Sequence, residues 1–415
     1  MTSLSQRLSL VPASPIRKLV PFAQAAKRNG VKVYHLNIGD PDIKTPDEMI
    51  SVLRNWDKNP ISYELSQGST QFLDALTWYY HTLGYTFIDA KHIQVTNGGS
   101  EAISMALFAT CEPGDEVIIF EPFYANYNSY TALNGVHIKA ITTSIESGFH
   151  LPSKEIIENT ISKNTKAILF CNPNNPTGTV YTKDEIEMLV DIASKHELFL
   201  LSDEVYREYT YDGKAQVSLL SYMQKIPNQA IVLDSMSKRY SLCGARLGAL
   251  VSLSDDLLSG VLRIAQGRLS SGFIDQAMAS KLIHVPHQYI ENVQKEYELR
   301  RDVLFSGLQN IPGVTVCKPE GAFYVIVGLP VDDSEKFCQW LLTDFRDPSA
   351  SSLRKDSGQA GQAETLMLAP AAGFYATEGK GKNEVRIAYV LNVTDLKRCI
   401  ELLQKSLILY TSTFQ

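Results

Sequence analysis

The sequence contains little cysteine, no excess of basic residues and no long apolar run. Its six cysteines are spread over 415 residues without paired or metal-type spacing, which argues against a disulfide framework. No run of about 18 apolar residues occurs, and the N-terminus has no apolar segment followed by a cleavage site. We therefore expect a cytoplasmic protein without a membrane partner. The net charge of -6 also argues against nucleic acid, which favours a basic surface.

The composition predicts two domains. Hydrophobic residues make up 44% of the chain and charged residues 20%, enough to bury one large core and a smaller one. Between residues 91 and 253, short β-rich runs alternate with helical patterns, as in an α/β domain wound around a mostly parallel central sheet. The predicted strands are Ile93–Thr96, Glu116–Phe120, Lys166–Phe170, Leu198–Leu201, Ile231–Leu233 and Leu247–Val251.

Helical spacing places several helices around these strands. Thr182 and Glu185 form a capping box before a helix at residues 183–196, and Gly84 ends an earlier helix. A long helical stretch runs from about Asp275 to Leu308.

Beyond this stretch the pattern is typical of a smaller α+β domain. We predict an N-terminal segment, residues 1–45, that packs on the small domain, a large domain, 46–310, and the small domain itself, 311–415. Residues 347–362 are rich in Ser, Gly and Gln and predict a mobile surface loop. The small-domain strands are expected at Val314–Val316, Ala322–Ile326, Leu366–Leu368 and Val385–Tyr389, with an amphipathic segment at 333–345 and a terminal helix.

The segment Asp234–Arg246 places hydroxyls, an amine and a guanidinium within thirteen residues. Ser235, Ser237 and Arg246 can donate several hydrogen bonds to a dianionic phosphate. Cationic neighbours favour the nucleophilic form of an amine, so Lys238 is a candidate to form a Schiff base. Taken alone, Lys238 and Arg239 are more simply explained as solvated charges on a loop.

Three motifs, in order, resemble the class I and II aminotransferases of fold-type I. The family's Ser-x-Ser-Lys, with Arg eight residues after the lysine, is matched by Ser235, Ser237, Lys238 and Arg246. Its Asn-Pro-x-Asn-Pro-Thr-Gly loop is matched by Asn172–Gly178, and its Asp-Glu-x-Tyr by Asp203–Tyr206. The resemblance covers residues 13–407 and implies a pyridoxal 5′-phosphate enzyme in which Lys238 forms a Schiff base with the cofactor.

The resemblance also implies how the cofactor ring is held. Asp203 would pair with the protonated pyridine nitrogen, while Asn175 and Tyr206 would hydrogen-bond the phenolic oxygen. Tyr124 would stack on the ring, although a tyrosine buried in the core explains that residue almost as well. Lys238, Asp203 and Tyr206 are thus the expected catalytic residues.

The cofactor phosphate is expected at the start of a helix. Gly99 and Ser100 join a strand to a helix, where an anion is favoured, and the family has a similar glycine-rich turn at this place. They would bind the phosphate together with Ser235, Ser237 and Arg246. A simple strand–helix connection is the alternative.

Four further residues are assigned by resemblance. Arg386 would bind the substrate α-carboxylate through two parallel hydrogen bonds. Gly39 and Asn175 would lie close to this carboxylate and complete the substrate-binding site. Tyr63 would reach the phosphate of a neighbouring subunit, which implies a homodimer, although Glu64 stands where the family has glycine. Arg268 lies in an Arg-Leu-Ser segment similar to that of aspartate aminotransferases and would bind the distal carboxylate of a dicarboxylic substrate. An ion pair at a helix end explains Arg268 equally well.

The implied reaction is ping-pong transfer of an amino group between an amino acid and a 2-oxo acid. Aspartate with 2-oxoglutarate is the first choice, and alanine, aromatic amino acids and a β-lyase activity remain alternatives. The Ser-x-x-Lys pattern of penicillin-binding enzymes also fits Ser235 and Lys238, but its partner motifs are out of order or missing. A non-catalytic regulator would require a DNA-binding segment that the sequence lacks. Pro286 disrupts the only histidine pair, so no metal is expected.

Overall fold

A computed structural model describes residues 3–347 and 363–414. The strands are β1 (Lys32–His35), β2 (Ile93–Thr96), β3 (Glu116–Glu121), β4 (His137–Thr142), β5 (Thr165–Cys171), β6 (Phe199–Asp203), β7 (Ala230–Ser235), β8 (Gly248–Val251), β9 (Thr315–Val316), β10 (Tyr324–Gly328), β11 (Glu364–Met367), β12 (Ala369–Pro370) and β13 (Glu384–Ala388). The helices are α1 (Val20–Arg28), α2 (Asp47–Arg54), α3 (Thr70–Thr82), α4 (Gly99–Thr110), α5 (Tyr127–Asn134), α6 (Lys154–Thr160), α7 (Lys183–Lys195), α8 (Met236–Arg239), α9 (Asp255–Arg268), α10 (Phe273–Ala279), α11 (His287–Gln309), α12 (Ser334–Thr343) and α13 (Val393–Phe414).

Seven strands form the large central sheet, in the order β2-β8-β7-β6-β5-β3-β4. The strands from β7 to β4 pair in parallel, and β8 is antiparallel to both of its neighbours. Successive residues of a strand point to opposite faces. Ile118 and Phe120 of β3 therefore join one apolar cluster, and Val117 and Ile119 join another. Apolar packing on both faces explains why the parallel strands are continuous apolar runs in the sequence.

The N-terminal segment and the C-terminal part build a second region together. β1 pairs in parallel with β11, from Lys32 opposite Glu364 to His35 opposite Met367. β12, β13, β10 and β9 form an antiparallel sheet, and one apolar cluster joins residues of β1, α11, α12 and α13. The predicted fold class, a large wound domain plus a smaller α+β domain, is confirmed. The boundaries 1–45, 46–310 and 311–415 stay a prediction.

Most predicted elements are present, and the differences have local causes. The capping box before α7 is formed, with the Thr182 hydroxyl accepting from the Glu185 amide at 3.2 Å. The long helix expected from Asp275 is divided, because Pro286 lacks an N–H group and caps the start of α11. The strand β4, which was not predicted, is partly exposed and lies at the edge of the sheet. The predicted loop at 347–362 lies, apart from Asp347, outside the described residues.

His150 links two parts of the chain through carboxylates. Its Nδ1 is 3.0 Å from Glu185 Oε2, and its Nε2 is 3.6 Å from Glu320 Oε2. The hydrogen bond with Glu185, followed by that with Glu320, raises the pKa of His150 to about 9 although partial burial opposes this. Protonated His150 therefore ties the start of α7 to the segment before β10.

The stabilisation that protonated His150 gives to the folded protein should be lost at alkaline pH. Its folded pKa of about 9 exceeds the unfolded value of about 6.5, so the stabilisation is complete below the unfolded value and is lost as pH rises through 9. We predict that His150→Gln lowers the Tm by roughly 2 °C or more near neutral pH, and that this difference shrinks above pH 9. Thermal unfolding at several pH values checks this. His287→Gln, at a side chain that is 86% exposed, is the control, and a pH-independent difference would contradict the prediction.

Candidate active site

A cavity of about 300 Å³ opens at the carboxyl ends of the parallel strands. Cys171, Asp203 and Ser235, the last residues of β5, β6 and β7, line it, as is usual for ligand sites of wound sheets. The structure brings the following predicted residues together in this cavity: Gly39, Gly99, Ser100, Tyr124, Asn175, Asp203, Tyr206, Ser235, Ser237, Lys238, Arg246 and Arg386.

One group of these residues places hydrogen-bond donors suited to an anion at the start of α4, and we call this group the anion site. Gly99 and Ser100 are the first residues of this helix, and amides of a first helical turn have no acceptor within the helix. The hydroxyls of Ser235 and Ser237 are 2.9 Å apart in the same cavity, which Arg246 also lines. Free amides, two hydroxyls and a guanidinium are the donors that a dianionic phosphate requires.

Lys238 projects into the cavity from α8, the single helical turn after β7. Its Nζ donates to the Gly39 carbonyl at 2.8 Å and lies 3.7 Å from Cys243 Sγ. Both partners are uncharged acceptors, and no carboxylate of the described residues forms an ion pair with the amine. The amine is therefore available to react with a carbonyl group of a ligand.

A buried ion network holds the helical turn of Lys238 in place. Asp234, at the end of β7, accepts from Arg239 Nη2 at 2.9 Å and from Arg207 Nη1 at 3.0 Å. Arg207 also pairs with Glu204 at 3.0 Å. Burial alone would raise the pKa of Asp234, but Arg239 and Arg207 lower it to about 2. Because Arg239 directly follows Lys238 and Glu204 directly follows β6, the network joins the ends of two central strands.

Asp203 is a buried carboxylate with no cationic partner among the residues described. Its Oδ2 accepts from the Tyr127 hydroxyl at 2.7 Å and its Oδ1 from the Val205 amide at 3.4 Å. Burial raises the pKa of Asp203 to about 6 although the Tyr127 hydrogen bond opposes this. A cationic ligand group beside Asp203 would stabilise the ionised carboxylate and be stabilised by it. A protonated pyridine nitrogen is such a group.

Arg386 is a buried guanidinium that has no counter-ion among the described residues. It is 2% exposed, and it donates to Asn175 Oδ1 at 3.0 Å and to the Asn37 carbonyl at 2.6 Å. Its Nε has no hydrogen-bond partner, and no carboxylate in the described part of the chain pairs with it. The rings of Tyr324 and Phe374 lie 4.5 and 4.9 Å from its guanidinium carbon. Burying an unpaired charge is costly, so this site is suited to an anionic ligand group.

Two predicted residues do not reach the cavity. Tyr63 is 82% exposed, and its predicted contact with a neighbouring subunit stays a prediction. Arg268 instead pairs with Glu101 at 3.3 Å and donates to the Val95 carbonyl at 3.1 Å. This placement gives no support to a role for Arg268 in binding a distal carboxylate.

The structure adds residues that the sequence analysis did not assign. Tyr127 supports Asp203, and the carbonyl of Asn37 orients Arg386. Both lie in segments already singled out for Tyr124 and Gly39, so their proximity to the site had a local signal. Tyr324, whose hydroxyl is 3.0 Å from that of Tyr206, had none, because an aromatic residue in an apolar strand is typical of a core.

Comparison with known proteins gives the family. The model of the family "Aminotransferase class I and II" matches residues 31–346. The chain belongs to this family. An aspartate aminotransferase of Thermotoga maritima is 31% identical over 346 residues, covering 82% of this chain and 89% of that protein. An asparagine–oxo-acid transaminase of Streptococcus mutans is 30% identical and covers 97% of this chain and 99% of its own. The solved Thermotoga maritima aspartate aminotransferase matches with a TM-score of 0.84 at 27% identity, covering 98% of this chain and 100% of that one.

This aminotransferase uses pyridoxal 5′-phosphate, the cofactor of its family, with amino acids and 2-oxo acids as substrates. The residues of the cavity fit the chemistry of the cofactor: the anion site at α4 would suit its phosphate, Asp203 would suit its pyridine nitrogen, and Lys238 would supply an amine for its aldehyde. Among the helices that the structure describes, none is long and apolar enough to cross a membrane.

Gly98 lies directly against the Arg246 side chain of the anion site. Gly98 has φ +78°, and a Cβ there would lie 2.6 Å from Arg246 Nη2. We predict that Gly98→Ala lowers the affinity for pyridoxal phosphate about tenfold or more, because Arg246 must move away from the phosphate site. Absorbance titration of the cofactor-free protein measures this.

Gly30→Ala is the matched control for this change. Gly30 has φ +76° and nothing within 4 Å of an added Cβ. Both variants should therefore lose about 1 kcal/mol of stability from backbone strain, but only Gly98→Ala should lose cofactor affinity. Equal cofactor affinities of the two variants would show that the contact with Arg246 is unimportant.

Proposed function

We propose that this aminotransferase transfers the amino group of L-aspartate to 2-oxoglutarate by a ping-pong mechanism, with the cofactor held covalently by Lys238. The observation that carries the proposal is one cavity containing the amine of Lys238 beside the uncompensated guanidinium of Arg386. The aspartate aminotransferase of Thermotoga maritima supports the choice of aspartate. The similar asparagine–oxo-acid transaminase makes a comparison of amino donors necessary.

Each of the main residues in the cavity has a separate role in the proposed reaction. Pyridoxal phosphate, when bound, supplies an aldehyde and an electron-accepting ring. Arg386 binds the substrate α-carboxylate, oriented by its hydrogen bonds to Asn175 and to the Asn37 carbonyl. Lys238 Nζ takes the proton from the substrate Cα, while Asp203 stabilises positive charge on the pyridine nitrogen.

The same residues serve both halves of the reaction. The 2-oxo acid binds through its carboxylate to Arg386, and Lys238 returns a proton to Cα. Because one guanidinium and one amine serve both substrates, the first product must leave before the second substrate binds. This alternation is the basis of ping-pong kinetics.

We further propose a homodimer with shared active sites. Ile61, Tyr63 and Leu65 are 60%, 82% and 62% exposed, and clustered exposed apolar residues favour an interface. By family resemblance, Tyr63 would contact the phosphate bound by the partner. A cytoplasmic location is supported by the six cysteines, none of which forms a disulfide in the structure.

A half-reaction tests the proposed activity. We expect the absorbance of the cofactor to change when L-aspartate is added to purified enzyme and to return when 2-oxoglutarate follows. Lys238→Ala should abolish the completed cycle of change and return, because no amine remains to move the proton. Lys397→Ala, at an exposed position of α13, is the control. A faster response to L-alanine, L-phenylalanine or L-asparagine would contradict the aspartate preference, and no response to any amino acid would contradict transamination.

A substitution in the exposed segment of Ile61, Tyr63 and Leu65 tests the proposed dimer. We predict that wild-type protein has the mass of two chains in light scattering, and that Leu65→Asp shifts it towards one chain because a buried unpaired carboxylate is costly. The affinity of the Leu65→Asp variant for pyridoxal phosphate should fall as its mass shifts towards one chain. Leu299→Asp is the control, since Leu299 is 51% exposed on α11. A wild-type monomer with full cofactor affinity would refute shared sites.

A further inference from the structure

Arg17 is a third arginine in the cavity, besides Arg246 and Arg386. It lies in the turn before α1 and is exposed at the cavity opening. In the described part of the chain its guanidinium has neither an ion-pair nor a hydrogen-bond partner. The neighbouring Lys18 differs, because it pairs with Glu335. Of these two adjacent cations, only Arg17 lines the cavity and lacks an anion.

The backbone connects Arg17 to the carboxylate site at Arg386. The amides of Arg17 and Lys18 both donate to the Ser14 carbonyl at 3.2 Å, which forms a tight turn. The Ile16 carbonyl accepts from Asn37 Nδ2 at 3.3 Å, and the Asn37 carbonyl accepts from Arg386 Nη2 at 2.6 Å. Asn37 therefore holds the turn of Arg17 next to Arg386.

Packing fixes the same turn from a second side. A Cβ built on Gly373 would lie 2.5 Å from Pro15 Cβ, so Pro15 packs closely on this glycine. Gly373 directly precedes Phe374, whose ring lies 4.9 Å from the Arg386 guanidinium carbon. The turn is thus positioned relative to Arg386 by a hydrogen bond and by van der Waals contact.

We infer that Arg17 binds the distal carboxylate of a dicarboxylic substrate whose α-carboxylate is bound by Arg386. This inference rests on the proposed function, which assigns Arg386 to the α-carboxylate and Arg246 to the phosphate. Arg268 is less suitable, because it lies outside the cavity and already pairs with Glu101. Arg17 is the cationic side chain of the cavity that these assignments leave unused.

The exposure of Arg17 sets the expected strength of this contact. A guanidinium can hold a carboxylate with two parallel hydrogen bonds. At the solvent-exposed opening, water and salt weaken the attraction, so Arg17 should contribute to substrate choice more than to overall binding. Monocarboxylic ligands should bind without its help.

Binding of unreactive acids to the cofactor-loaded enzyme tests Arg17 without turnover. Calorimetry compares succinate with butanoate, which has the same chain length and only one carboxylate. We expect wild-type enzyme to prefer succinate, and Arg17→Gln to lower succinate affinity about tenfold with little change for butanoate. Arg17→Lys should retain part of the preference. Lys18→Gln and Arg268→Gln are matched controls that should keep the full preference for succinate over butanoate.

Each other outcome would overturn the inference. If Arg17→Gln keeps the preference for succinate, another group binds the distal carboxylate. If the variant loses affinity for both acids equally, Arg17 has only a structural role. If wild-type enzyme binds the two acids equally, no distal-carboxylate site exists. Failure of transamination itself would appear separately, as an unchanged cofactor absorbance in the half-reaction.

Discussion

The buried ion network around Asp234 is the interaction on which the active site depends most. Asp234 pairs with Arg239 and Arg207 in the interior, and Arg207 pairs with Glu204. Removing one member would leave a buried charge without compensation, which is strongly unfavourable. The network members adjoin Ser235, Lys238 and Asp203 in the chain. One set of buried charges therefore positions the proposed phosphate site, the Lys238 amine and the carboxylate proposed to pair with the pyridine nitrogen.

The charges inside the cavity contrast with this compensated network. Among the residues that the structure describes, buried Arg386 has no carboxylate partner and buried Asp203 has no cationic partner. Each is stable only because polar neighbours supply hydrogen bonds, and each gains when a ligand of opposite charge binds. One cavity therefore contains a position that favours an anion, at Arg386, and a separate position that favours a cation, at Asp203. By the proposed assignments, the anion is the carboxylate of the amino acid and the cation is the protonated ring of the cofactor.

The pairing of β1 with β11 brings the N-terminal segment into the active site. It places the residues after β1, including Asn37 and Gly39, beside Arg386 and Lys238. Arg17 reaches the same cavity because Ile16 is bonded to Asn37. The proposed substrate-binding groups therefore come from the N-terminal segment and the C-terminal sheet, while the proposed cofactor-binding groups come from the large sheet and the segments that follow its strands.

The sequence alone was sufficient for the fold class, most strands of the large sheet and the motif from Ser235 to Arg246, because these depend on apolar spacing and on residues adjacent in the chain. It left the role of Arg268 open between binding a distal carboxylate and forming an ion pair at a helix end, because a local pattern does not show which residues surround a side chain. Only the tertiary structure showed that Arg268 pairs with Glu101, whereas Arg386 has no carboxylate partner in the described part of the chain. The physical reason is that compensation of a charge depends on residues brought together by packing, and that information is absent from local sequence patterns.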